Sequence, residues 1–140
     1  LLSCGKGCHF CCRQNVTIWE DEAAAIADYC REHNIDIPRK YLQEQLKYGW
    51  KEVARTEVGW CVFLKNGLCS IYSARPLACR KYLVASHPEK CDTVKFSPPN
   101  NGVRVASFTL PEVEASAFFG VMDVKGKNGR LPKMMLPYSK

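Results

Sequence analysis

The chain has 140 residues, 46% apolar and 24% charged, with a formal net charge of +6; these values describe one globular domain with a hydrophobic core rather than a disordered tail. No run approaches the roughly 18–20 apolar residues of a membrane span, and repeats and low-complexity tracts are absent. The Lys and Arg residues are scattered and form no block, so the positive balance does not read as a nucleic-acid footprint. About eight metal-bound thiolates against two Zn²⁺ would also bring the holo-protein close to neutral.

In chain order, residues 1–15 read as a cysteine-rich loop containing Gly5 and Gly7. Leu1-Leu2-Ser3-Cys4 has the outline of a lipoprotein cleavage site, but the apolar stretch such a signal needs is not in the sequence as given, so a cytoplasmic location is expected. Glu20 to His33 reads as a helix, with Glu20, Asp21 and Glu22 in the first turn where the helix dipole favours them. Leu42, Leu46, Gly49/Trp50 and Val53 form one apolar stripe, which predicts a second helix over Arg39–Thr56. Two apolar runs around Asn66-Gly67 predict a hairpin, and Pro76 opens a short helix carrying Cys79 and Arg80. His87 to Asn101 reads as loop, Val103–Leu110 as a strand and Glu112–Met122 as a helix. The expected fold is mainly α with a short β-hairpin, a small α+β domain that is irregular and stapled by metal. Residues 1–123 would be the cysteine-cluster metal-binding domain, and 124–140 a loosely packed tail of it.

Nine cysteines in 140 residues are out of proportion. Their spacing is C-x3-C-x2-C-C at Cys4, Cys8, Cys11 and Cys12, then Cys61, Cys69, Cys79 and Cys91, with Cys30 apart. A disulfide framework suits small secreted chains without a core, whereas this chain has core-forming helices and an odd cysteine count, so metal is the better reading. Cys8-x2-Cys11 lets two sulfurs converge on one ion from a tight turn. Adjacent Cys11 and Cys12 suit a polynuclear cluster or two metals better than two corners of one zinc tetrahedron. The hairpin offers two registers. In a two-residue turn Leu64 faces Cys69 and Cys61 points to the opposite face; in a three-residue loop Phe63 faces Cys69, and both thiols share a face. The second is favoured, because only it is expected to bring both to one metal.

These motifs, with Cys61-Val62-Phe63-Leu64, Cys69-Ser70-Ile71-Tyr72 and Arg75-Pro76-Leu77-Ala78-Cys79-Arg80, resemble the CxxCxxCC (YkgJ-type) cysteine-cluster family, described as zinc- or iron-chelating. The resemblance covers roughly residues 4–92. It implies Cys4, Cys8, Cys11, Cys12, Cys61, Cys69, Cys79 and Cys91 as metal ligands. Cys30, inside an alanine-rich helix, falls outside the pattern and reads as a buried structural thiol. A distant relative by resemblance, flagellin lysine N-methyltransferase, is associated with a [4Fe–4S] centre and S-adenosylmethionine.

All-thiolate ligation suits both Zn²⁺ and iron–sulfur clusters, and the Cys11-Cys12 doublet with the resemblance favours a [4Fe–4S] cluster over zinc. His9 reads as a hydrogen-bonding loop residue. Arg75 and Arg80 are candidates for holding an anionic cofactor or substrate group, weighed against structural capping of carbonyls; for Arg13 and Lys81 the structural reading is favoured. Trp60, Phe63, Tyr72 and Tyr82 read as core aromatics. Three functions stay open: redox or group transfer including protein methylation, a structural zinc interaction domain, and metal-ion handling. The expected partners are a protein partner or protein substrate, with no nucleic acid, no membrane and a monomeric state.

Overall fold

A computed structural model describes residues 7–81, 88–92 and 126–140. The predicted strand at 103–110 and helix at 112–122, together with Cys4 and Tyr82, lie outside the described residues. Within them the domain is a small mixed α+β unit. Strand β1 (Thr17–Trp19) leads into α1 (Glu20–Glu32), followed by α2 (Arg39–Leu46) and the single turn α3 (Trp50–Val53). The hairpin β2 (Leu64–Lys65) and β3 (Leu68–Cys69) comes next, then α4 (Leu77–Lys81), β4 (Asn128–Arg130) and α5 (Leu131–Met135). Short 3-10 turns at Phe10–Arg13, Glu57–Gly59, Tyr72–Ala74, Pro88–Cys91 and Leu136–Tyr138 connect or extend them. Among the described residues no helix is long and apolar enough to cross a membrane.

The first predicted helix forms as expected and buries Ala23, Ile26, Ala27 and Cys30, the i, i+3, i+4, i+7 stripe of an amphipathic helix. It stops because Asn34 adopts a left-handed conformation at φ 52° and Ile35 N–H donates to Cys30 O at 2.8 Å, a Schellman closure. The second predicted helix is broken. It ends at Leu46 and restarts at Trp50, because Gly49 takes an extended conformation and its N–H donates to Glu52 Oε2 at 3.1 Å. A stripe of apolar residues does not distinguish one helix from two turns in register.

The hairpin takes the two-residue register, with Leu64 opposite Cys69 and Lys65 opposite Leu68. Asn66 and Gly67 both have positive φ, 50° and 76°, the conformation that an Asn-Gly turn adopts at least steric cost. The favoured three-residue loop is therefore corrected. Its premise also fails: β2 begins only at Leu64, and Leu64 N–H donates to Cys61 O at 3.0 Å across a turn. Strand alternation does not reach back to Cys61 and does not dictate which way it faces.

The expectation of a loosely packed tail is corrected for residues 126–140. There, β4 pairs antiparallel with β1 in the register Thr17–Arg130, Ile18–Gly129, Trp19–Asn128. Leu131 and Met135 lie in the same core as Ile18, Ile26, Leu42, Phe63 and Ile71. Lys140 N–H donates to Ile37 O at 3.1 Å and Arg39 N–H to Lys140 O at 2.9 Å. The Lys- and Gly-rich composition hid Leu131 and Met135, one helical turn apart and both buried.

Candidate metal centre

The cysteine loop docks where the sequence places it, against the hairpin. Cys61 N–H donates to Cys12 O at 2.7 Å, and Gly7 and His9 lie beside Leu68 and Gly67. The His9 ring stacks on Phe10 and Nδ1 is 3.3 Å from Gly7 O, a loop-ordering role. The other side of the loop is tied by Gln14 Nε2 donating to Cys91 O at 3.3 Å.

The segment carrying Cys61 is held from α2. Tyr41 and Gln45, one turn apart, reach the same stretch: Tyr41 OH donates to Trp60 O at 2.9 Å, and Gln45 Nε2 to Val58 O and Trp60 O, both at 2.8 Å. Buried Gly59 sits inside this grip.

Cys79 is held by a residue that the sequence reading assigned only to the helix dipole. Glu22 accepts from Trp19 N–H through Oε2 at 3.0 Å, which caps α1. Through Oε1 it accepts from Leu77 N–H at 2.7 Å, satisfying an open donor at the start of α4. No local pattern links residues 22 and 77, so this role carried no signal. Replacing Glu22 by Gln keeps the shape but loses the charged acceptor for one of the two amides, and is expected to cost about 1–2 kcal/mol. Thermal melting and the alkylation rate of Cys79 check this: a faster Cys79 with a modest loss of stability is the expected pair of results.

Thiols from four segments act electrostatically on one another. Cys11 hydrogen-bonds Cys12, and that bond, with burial, pushes the Cys11 thiol well above the ordinary range. Burial pushes Cys61 up to about 12, with Cys79, Cys69 and Cys11 adding to the effect. Burial likewise raises Cys79 to about 12, helped by Cys11 and Cys69, and raises Cys69. The thiols of Cys11, Cys61, Cys69 and Cys79 are thus electrostatic neighbours. Arg75 opposes the upward shift at Cys11, Cys69 and Cys79, as a cation among developing thiolates does. Its guanidinium lies 3.6 Å over the Tyr72 ring and its Nε donates to Tyr72 O at 2.9 Å.

Arg80 does something different. It donates to Arg75 O at 2.8 Å and Ser73 O at 2.5 Å from an exposed position, closing the turn before α4. Cys8 is partly buried and Cys91 fully so, and no disulfide joins the described cysteines. Cys30 is 2% exposed in the core beneath α1, in keeping with a structural thiol. The aromatic wall divides: Phe63 is wholly buried, whereas Trp60 and Tyr72 each carry an arginine on one face, Arg13 at 3.9 Å and Arg75 at 3.6 Å.

The donor chemistry of this neighbourhood fits zinc or iron, since thiolates are the ligands both favour. The assembled geometry of a staple is not present. Among the described residues no group of three or more His, Cys, Asp or Glu side chains is close enough to hold a metal ion. What the described residues do show is an apolar core and main-chain ladders; a metal-stapled arrangement is not seen among them.

Comparison with known proteins gives one match: a family model named CxxCxxCC, described as a "putative zinc- or iron-chelating domain", fits residues 3–101 of the 140. No curated protein and no solved structure matches the chain.

Proposed function

The chain belongs to the CxxCxxCC family of zinc- or iron-chelating domains, and from that membership we propose that it binds metal through Cys11, Cys61, Cys69 and Cys79, with Cys12 and Cys8 at the rim. The observation that carries this reading is the mutual influence of thiols from the cysteine loop, the hairpin and α4, with Arg75 set among them. Cys4 and Cys91 complete the proposed ligand set implied by the family motif.

A [4Fe–4S] cluster is the preferred occupant over zinc. A polynuclear cluster spans more space than one ion, and it accepts thiolates that do not converge to a single point. Arg75 supplies positive charge toward the thiolates and lowers the cost of ionising them. Redox or group-transfer chemistry at such a centre is the function this reading supports; a closed zinc site that organises a protein-binding surface is the alternative that the same thiols serve.

Metal and acid-labile sulfide content, measured on protein purified without oxygen, separate the two. About four Fe and four sulfides per chain with a brown colour are expected; one or two Zn without sulfide would establish the zinc reading instead. Single Ser replacements of Cys61 or Cys79 are expected to lower metal content at least tenfold at limiting metal, while Cys30→Ala leaves it unchanged. Retention of metal by both single variants would overturn the assignment. In cluster-loaded protein, S-adenosylmethionine binding is the next test of the methylation reading, and its absence removes that reading.

A further inference from the structure

Among the described residues, the buried side-chain nitrogens and oxygens that lack a hydrogen-bond partner all belong to one place. They are Arg13 Nε, Gln45 Oε1 and Arg130 Nε, and their three residues line a single cleft of about 40 Å³. The cleft lies between the Phe10–Arg13 turn, α2 and the junction of β4 with α5. A buried polar atom without a partner costs on the order of 1–3 kcal/mol, so three at one cleft call for something that uses them.

Each atom has its direction fixed by what its neighbours already do. The Arg13 guanidinium carbon lies 3.9 Å from the centre of the Trp60 ring, which engages that side of the group and leaves Nε free to donate. Arg130 Nη1 donates to Tyr48 O at 2.9 Å, anchoring one side of the fork while Nε stays unpaired. Gln45 is 5% exposed. Its Nε2 serves two carbonyls, Val58 O and Trp60 O, so the amide orientation is determined and the remaining atom is an acceptor. Among the described residues no Asp or Glu lines the cleft, and Val16, Val53 and Leu131 supply apolar wall. The result is two cationic donors and one neutral acceptor around a small, partly apolar space.

We propose that this cleft binds a small oxyanion carrying an O–H or N–H donor beside its negative charge. The oxyanion takes the two arginine Nε donors, and the adjacent donor meets Gln45 Oε1. An α-hydroxy carboxylate and a hydrogen phosphate share this chemistry. Water satisfies hydrogen bonds here, whereas an anion also pairs its charge with the two guanidinium groups. Cys12 and Cys61 line the same cleft, so a ligand held there lies against the thiol neighbourhood. The proposal stands on Arg13, Gln45 and Arg130 and is independent of which metal the thiols bind, or whether they bind one.

Titration of the whole reduced chain with glycolate, inorganic phosphate and acetate, with sodium chloride as the ionic control, tests this. Tryptophan fluorescence reports on it, because Arg13 stacks on Trp60 and Trp50 lines the cleft. Saturable binding with Kd on the order of 1 mM is expected for ligands this small. Glycolate or phosphate should bind about fivefold or more tightly than acetate, which lacks the donor, and the tighter of the two identifies the source. Arg130→Gln should weaken binding about tenfold or more. Arg130→Lys keeps the charge, guards against misfolding and should also weaken it. Linear responses matching sodium chloride, equal affinity for acetate, or unaltered binding in the well-folded Arg130→Lys variant would each overturn the proposal.

Discussion

Replacing Gly59 by alanine is expected to lower the stability of the chain by about 3 kcal/mol and to loosen the segment that carries Cys61. A Cβ at this position would come within 2.5 Å of Val53 O, 2.8 Å of Ala54 O and 2.9 Å of Ala54 C. These are main-chain atoms, so no side-chain rotation relieves the overlap. The backbone on one side has little room to yield, because Gly59 N–H donates to Thr56 O at 3.1 Å. Beyond it, Trp60 O accepts from both Tyr41 and Gln45. Strain at Gly59 therefore propagates into two hydrogen bonds from α2 and into the Cys61–Cys12 main-chain contact. Urea unfolding of the reduced chain measures the loss, and alkylation of Cys61 by a small maleimide measures the loosening. Wild-type stability with a slow Cys61 would contradict the steric argument.

Stability of the reduced, metal-free chain should fall steeply as pH rises from 9 toward 12. Burial lifts the Cys61 and Cys79 thiols from the usual 9.0 up to about 12, so the folded chain holds these protons more tightly than the unfolded one. Such a group contributes stability that is fully present below pH 9 and disappears as pH climbs to the folded value. Within that window each thiol removes up to about 1.4 kcal/mol per pH unit, and the pair about 2–3 kcal/mol per unit. Cys69 and Tyr41, also raised by burial, act in the same direction. Urea midpoints at pH 8, 9.5 and 11 read the slope, and Cys79→Ala should flatten it. Metal reverses the preference for protonated thiols, so loading at pH 7 should release about one proton for each thiol that becomes a ligand, and affinity should rise with pH.

What the sequence made legible was local. Asn66-Gly67 marked the hairpin because few residue pairs accept two positive φ values in succession, and helix formers behind an acidic first turn marked α1. Pro76 marked the start of α4 for the same kind of reason. Gly49 breaks the second helix by taking its own N–H bond from Glu52, which periodicity does not register. The register of the hairpin was misread because alternation was extended to Cys61, three residues before the strand begins. Pairings between distant residues left no mark at all: Glu22 with Leu77, β1 with β4; nor did the meeting of Arg13, Gln45 and Arg130 at one cleft. Gln45 illustrates the difficulty. On a helical wheel it is a polar residue like its neighbours, and only the folded chain shows it 5% exposed with one atom of its amide unused.

The ladder between residues 17–19 and 128–130 also bears on how the molecule is made. Its contacts join segments more than a hundred positions apart, and such long-range closure is slow to form compared with local structure. The hairpin, the turn after it and α4 all fall within residues 64–81 and draw on no later residue, the distant acceptor of Leu77 N–H being the earlier Glu22. During synthesis Cys69 and Cys79 therefore emerge on locally ordered chain well before Leu131 and Met135 exist to complete the core. Cys61 and Cys69 pack against the core that Leu131 and Met135 complete, so these thiols are more open to oxidant during that interval than in the finished fold.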